Sequence, residues 1–189
     1  MFDIVIIGAG PAGASAGIFT AKAGKKTLLI DHDKGMTKRA WVENHYGVSE
    51  ITGPELIETG KKQAQRFGSE LINDAVVEIK KTETGFDIQT EEHGAYSTKH
   101  VIFATGVLVE LGEKLGVTTI SGTEPRIKTI FQVDKDGKTN IDGIWAAGTC
   151  AGVSVHTIIT AGDGAKVAIN IISELNGERY VDHDILKTK

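Results

Sequence analysis

Residues 4–7 (Ile4-Val5-Ile6-Ile7) form a short, unbroken apolar run rich in β-branched side chains. That pattern predicts a parallel strand buried on both faces. Glycines follow, and residues 12–23 are mostly small side chains that predict a helix, closed by Gly24. Residues 27–30 repeat the buried-strand pattern and end at Asp31, so the first thirty residues read as a βαβ unit. A second helix is predicted to begin near Pro54, since proline suits a first helical turn. Leu56, Ile57, Gly60, Ala64 and Phe67 fall on one of its faces, and Gly68 stops it. Residues 70–72 then return as a strand.

Further along, residues 76–79, 86–90 and 96–99 show loose alternation, with turn residues at Thr84-Gly85 and His93-Gly94. They predict an antiparallel meander laid beside the main sheet. Residues 101–104 and 144–147 are two more buried strands. Residues 127–133 and 139–140 are expected to form a hairpin around Asp136-Gly137. The stretch 107–125 supports no long element, because Gly112, Gly116 and Gly122 interrupt it. A last helix is predicted over residues 158–175, closed by Asn176-Gly177. The fold class is therefore α/β, a Rossmann-type parallel sheet with a small antiparallel β-meander. With no repeat or linker to divide it, residues 1–189 read as a single domain.

Composition narrows the function. The 189 residues suffice for one buried core, and 40% hydrophobic with 24% charged residues is ordinary for a globular protein. A formal charge of −4 argues against nucleic acid as a partner. The lysine pairs Lys25-Lys26, Lys61-Lys62 and Lys80-Lys81 are scattered and read as solvated surface. No apolar run reaches membrane-spanning length, and the first residues read as a strand rather than a leader. A single cysteine, Cys150, excludes an internal disulfide, so a cytoplasmic location is expected. Cys150 itself reads as a buried, inert thiol, and Trp41 as a core residue, with stacking on a bound ligand as its alternative role. The six histidines lack metal-ligand spacing, and no metal site is expected.

The candidate chemistry lies in Gly8-Ala9-Gly10-Pro11-Ala12-Gly13, a G-x-G-x-x-G between a buried strand and a helix. Gly8 permits the tight turn, Gly10 lets the backbone approach a pyrophosphate, and Gly13 allows close helix–strand packing. The helix start offers unpaired N–H groups and a positive dipole end. Asp31 closes the second strand at the spacing of a ribose-hydroxyl ligand and disfavours a 2′-phosphate. These features specify a dinucleotide without separating NAD from FAD.

Several further segments, in order along the chain, carry a resemblance: Val42-Glu43-Asn44, Gly53-Pro54-Glu55-Leu56, Gln65-Arg66-Phe67-Gly68, Ala104-Thr105-Gly106, residues 143–148 and residues 160–165. With the glycine loop, they resemble the FAD domain of bacterial thioredoxin reductases and their relatives. The resemblance implies FAD as cofactor, with the pyrophosphate on Gly8, Gly10, Pro11, Ala12 and Gly13 and the adenosine ribose on Asp31. It implies adenine near Val76, Asn44 near the flavin or ribityl chain, and Ala104, Thr105 and Gly106 packed close to the cofactor. Gly148 and Thr149 would meet the ribityl–pyrophosphate region, and His156, Thr157 and Ile158 the pyrimidine edge of the flavin. For His156 a plain helix-start role stays open beside a flavin contact. The chain departs from the pattern at Thr149, where the family usually has aspartate. It departs also at residues 33–40, which lack Gly-Gly-Gln, and at His45-Tyr46. There is no C-x-x-C and no second G-x-G-x-x-G, since Gly162-Asp163-Gly164 is followed by Val167. Residues 107–122 stand where the family inserts its NADPH domain.

The resemblance implies an FAD-dependent oxidoreductase without stand-alone disulfide reductase activity, fed by free NAD(P)H or an electron-donor protein. A non-catalytic FAD-binding module and a subunit of a split disulfide oxidoreductase remain open alternatives. No catalytic residue is assigned, and a homodimer is expected because the related reductases pair through their FAD domains.

Overall fold

The structure is a computed structural model and describes residues 1–182 and 184–186. In chain order its elements are β1 (Phe2–Ile7), α1 (Pro11–Lys22), β2 (Thr27–Asp31), a 3₁₀ turn at Met36–Arg39, β3 (Trp41–Val42) and β4 (Ile51–Thr52). Then come α2 (Gly53–Arg66), β5 (Glu70–Asn73), β6 (Val76–Thr82), β7 (Gly85–Thr90) and β8 (Ala95–Phe103). The last are α3 (Glu110–Leu115), β9 (Thr119–Ser121), β10 (Thr129–Phe131), β11 (Ile144–Ala146), a 3₁₀ turn at Thr149–Ala151 and α4 (Thr157–Asn176).

The main sheet has the order β5-β2-β1-β8-β7-β6, with β11 also paired to β8. Strands β5, β2, β1, β8 and β11 run parallel, while β6 and β7 join antiparallel. This is the expected Rossmann-type α/β sheet with its meander, corrected in one respect. The third meander strand and the buried strand after it are one element, β8. Residues 95–98 pair with β7, residues 101–103 pair with β11, and the other edge pairs with β1. The continuity follows from β1, whose ladder with β8 runs from Thr98 to Phe103 and carries the strand past the point where β7 gives way to β11.

A second correction concerns the expected hairpin at Asp136-Gly137. The turn exists, with Gly137 at φ +95° and the Asp134 carboxylate accepting the N–H groups of Asp136 and Lys138 at 2.9 Å. Its flanks do not pair as strands, and β10 instead pairs with β9. A carboxylate that satisfies the turn's own donors leaves the flanks free to find other partners. Residues 107–125, unassigned from sequence, hold α3 and β9, and Gly116 at φ +94° ends the helix.

Alternate side chains of the parallel strands face two cores. Ile4, Ile6, Leu29, Ile102 and Trp145 pack against Ala12 and Ala16 of α1 and Val167, Ala168 and Ile171 of α4. Val5, Ile7, Leu28, Ile30, Val101 and Phe103 form the other core with Ile79, Phe86 and Ile88 of the meander and with Phe131. Helices α1 and α4 cross at van der Waals limits: a Cβ on Gly164 would lie 2.0 Å from the Ala12 carbonyl oxygen. Trp41, expected in the core, is instead 59% exposed on the two-stranded β3–β4 ribbon, where strand alternation turns Val42 inward and Trp41 outward.

Candidate functional site

The loops that follow β1, β2, β8 and β11 meet at the carboxyl ends of the parallel strands, beside the start of α1. That is where an open α/β sheet forms its ligand crevice. Gly8 adopts φ +98°, and a Cβ there would sit 2.4 Å from the Ala104 carbonyl oxygen. A Cβ on Gly13 would lie 1.8 Å from the Gly8 oxygen, so only glycine lets α1 leave the strand at this angle. Gly10 is different. It has φ −68°, and a Cβ there would meet nothing within 4 Å. Two glycines of the loop thus serve packing, and the middle one leaves an open face.

The remaining loops close around this one. Ala104 N–H donates to the Ile7 carbonyl oxygen and Ala147 N–H to that of Phe103, each at 2.9 Å, which brings the loops after β8 and β11 beside Gly8. Gly148, at φ +81°, places its α-carbon so that a Cβ would be 2.8 Å from Cβ of Ala12. Gly8 is thus packed against Ala104, and Gly148 against Ala12. Thr105 bonds back to the Leu108 carbonyl oxygen, and Gly106 is exposed at φ +67°. Asp31, nearly buried at the end of β2, accepts the Ala9 N–H at 3.2 Å on Oδ1. Val76 begins β6 just past Asp74, whose N–H donates to the Asp31 carbonyl oxygen at 3.1 Å.

At the far end of the crevice stands the start of α4, with His156 as its N-cap residue. Thr157 and exposed Ile158 form the first turn. Asn44 is exposed, and its neighbour His45 makes the contact with α4, Nδ1 lying 3.0 Å from Thr157 Oγ1. His156 Nδ1 lies 2.8 Å from Ser154 Oγ, and Ser154 donates to Glu124 at 3.2 Å. Neither α1 nor α4 has an acidic residue in its first turn, whereas α2 carries Glu55 in a capping box with Thr52. The positive ends of α1 and α4 remain free for an anionic group, and that of α2 is compensated within the chain.

Cys150 is fully buried in the turn after Gly148, its Sγ 3.3 Å from the carbonyl oxygens of Phe103 and Ala147. Burial pushes the thiol upward, so it holds its proton. The reading of Cys150 as an inert packing residue matches this geometry.

Two residues of the site were not singled out from sequence. Asp163, buried in α4, accepts the Gly148 N–H at 2.8 Å and pairs with Lys166 at 2.6 Å. Its signal was an acid among small residues on the inner face of a helix. Lys61, read as solvated surface, has a side chain only 13% exposed and lies 2.6 Å from Asp31 Oδ2. Its neighbour Lys62 is indeed solvated. The difference follows from the helix period, which turns Lys61 towards β2 one residue after Gly60 faces α1, with Ala14 Cβ 3.1 Å from where a Cβ on Gly60 would sit.

The fold and crevice define an α/β protein of Rossmann type with the sheet of an FAD-binding domain. The chain belongs to the pyridine nucleotide-disulphide oxidoreductase family, whose model matches residues 2–117 and also residues 50–165. It is 35% identical over 126 residues to thioredoxin reductase of Peptoclostridium acidaminophilum, covering 65% of this chain and 40% of that one. To thioredoxin reductase of Aquifex aeolicus it is 34% identical over 114 residues, covering 57% and 35%. The chain thus spans well under half the length of these curated relatives. Among solved structures, a thioredoxin reductase from Gloeobacter violaceus matches with a TM-score of 0.79 and 19% identity, over 98% of this chain and 99% of that one. An oxidoreductase from Agrobacterium tumefaciens matches with a TM-score of 0.81 and 16% identity, over 94% and 99%. Among the described residues, no helix is long and apolar enough to cross a membrane.

Proposed function

We propose that this chain binds FAD along the crevice and works as an oxidoreductase that takes electrons from free NAD(P)H or from a partner protein. The observation that carries the reading is the open face at Gly10, the N-cap of α1, at a helix start with no acidic residue to compensate it. An uncompensated helix start beside an unobstructed backbone suits a diphosphate. In this reading Asp31 holds the adenosine ribose and Val76 borders the adenine. Ala104, Thr105, Gly106, Gly148 and Thr149 line the central part. His156, Thr157 and Ile158 border the flavin, with Asn44 nearby. When bound, FAD supplies the hydride-accepting chemistry, and the protein supplies orientation and electrostatics. The start of α4 favours negative charge beside it.

Residues 107–122 take the place of the family's inserted NADPH domain in this proposal, so the nicotinamide donor arrives by diffusion or on another chain. Thr149 offers a neutral hydroxyl where related chains have a carboxylate. Buried Cys150 supplies no dithiol, which favours an acceptor other than a disulfide.

The absorbance spectrum of the purified protein tests the cofactor directly, followed by anaerobic titration with NADH and NADPH. A flavin spectrum bleached by either nucleotide is expected. A colourless chain that gains thermal stability with NAD and ignores FAD would overturn the reading.

A further inference from the structure

Of the three basic residues of α2, Lys61, Lys62 and Arg66, only Lys61 withdraws from solvent. Its ammonium sits 2.6 Å from Asp31 Oδ2 and 3.4 Å from Asp33 Oδ1, and the other oxygen of Asp33 pairs with Lys38. The Asp31 carboxylate, 11% exposed, therefore has one oxygen on Lys61 and the other on the Ala9 N–H of the glycine loop. This arrangement has an electrostatic consequence. A carboxylate fixed to the very loop that offers its N–H groups to a diphosphate would repel that ligand, and at the edge of an open crevice salt weakens that repulsion without abolishing it. Lys61 supplies the compensating charge from the opposite side of the carboxylate.

We propose that Lys61 is a positioning residue of the nucleotide site: it fixes Asp31 for the adenosine ribose and cancels the carboxylate's charge beside the diphosphate loop. The proposal rests on the nucleotide reading of the crevice but not on the flavin half of the ligand. Burial draws the Lys61 ammonium down, but the Asp31 and Asp33 carboxylates outweigh this and leave it above its ordinary value, so it stays charged. Asp33 and Lys38 complete an alternating chain of charges, Asp31–Lys61–Asp33–Lys38, that ties β2, the 3₁₀ turn and α2 together.

The test measures dissociation constants for FAD, by flavin fluorescence, and for ADP, by calorimetry, in the wild type and in Lys61→Met, Lys61→Arg, Asp31→Asn and Asp31→Asn/Lys61→Met. Lys61→Met is expected to weaken both ligands by at least about tenfold, because it leaves a buried carboxylate unpaired. Lys61→Arg keeps the charge and should stay within about threefold of wild type. The double variant should lose less than the product of the two single losses. The Lys61→Met deficit should shrink as sodium chloride is raised, which a purely structural role would not produce. Equal losses in Lys61→Met and Lys61→Arg, a salt-independent deficit, or independent single effects would each overturn the proposal. If Lys61→Met does not fold, the arginine variant and the salt dependence of Asp31→Asn against wild type decide instead. ADP binding with this pattern but no FAD uptake would uphold the role of Lys61 and overturn the flavin reading. No binding of either ligand to the wild type would overturn both.

Discussion

The Gly148 N–H donates to the Asp163 carboxylate at 2.8 Å, so the loop after β11 is held by the second turn of α4 rather than by its own strand. Asp163→Ala removes the acceptor and leaves a buried N–H without a partner. The expected cost is about 1–3 kcal/mol in urea unfolding. FAD uptake should weaken as well, because Gly148 borders Ala12. Asp163→Asn keeps an acceptor and should cost less in both measurements.

Gly10 and Gly13 predict opposite outcomes for the same kind of substitution. Gly10→Val should leave the thermal midpoint of the unliganded chain nearly unchanged, since its φ of −68° suits any residue and its Cβ meets open space. The same variant should take up no FAD, because the side chain fills the place of the diphosphate. Gly13→Ala should destabilise the fold by about 1–3 kcal/mol or more, with a Cβ driven to 1.8 Å from the Gly8 oxygen. Calorimetric melting of both variants, each with and without FAD, checks the contrast.

Thr149→Asp should tighten FAD by about 1–2 kcal/mol, close to tenfold in the dissociation constant. The gain is expected if residue 149 faces the ribityl hydroxyls. An unchanged constant from fluorescence titration would remove Thr149 from the binding surface.

Asp74 gives a pH signature. Its side chain is 1% exposed and accepts the N–H groups of Ala75 at 2.7 Å and His93 at 2.9 Å. Burial raises this carboxyl, but bonding from Thr90, from the His93 ring and from backbone N–H groups wins, and it ends well below the usual carboxylate range. A depressed folded-state value means that the stabilisation is fully present above the unfolded value of 3.8 and is lost as pH falls below it. Asp74→Asn should therefore be less stable at neutral pH and should show a shallower loss of stability below about pH 4. Denaturant midpoints across that range read this out.

Turnover with a dithiol-exchange substrate and NADPH should be negligible for this chain alone, and Cys150→Ser should change nothing. A mixed disulfide needs an accessible thiolate and a second thiol to resolve it. Cys150 is fully buried and holds its proton. Rapid turnover lost in Cys150→Ser would make this residue catalytic.

Sequence pattern revealed most of what local chemistry encodes. The glycine spacing identified the turn, the open face and the packing contact of the first loop, and Gly24, Gly68 and Gly177 stop their helices at positive φ as read. What it missed depends on partners distant in sequence. Lys61 looks like any surface lysine until α2 lies along β2, and the role of Asp163 requires the loop that ends at Gly148 to come back over α1. The hairpin expected around Asp136-Gly137 failed because a correct turn does not choose the strands on either side of it. Trp41 stays outside the core because β3 gives its inward position to Val42, a choice of strand face that two residues do not reveal in the sequence.

Strand β8 also fixes an order of assembly. It pairs with β1 through contacts such as Ile7 with Phe103, with β7 through Phe86 and Thr98, and with β11 through Phe103 and Ala146. The meander can close early from neighbouring segments, but the centre of the sheet must bridge roughly a hundred residues, a loop closure that slows folding. During synthesis, β1, α1 and β2 therefore leave the ribosome with one edge of β1 unsatisfied until β8 arrives. Val5 and Ile7 gain their core partners Val101 and Phe103 only with that closure, and the wall that Ala104 gives the nucleotide crevice depends on it too.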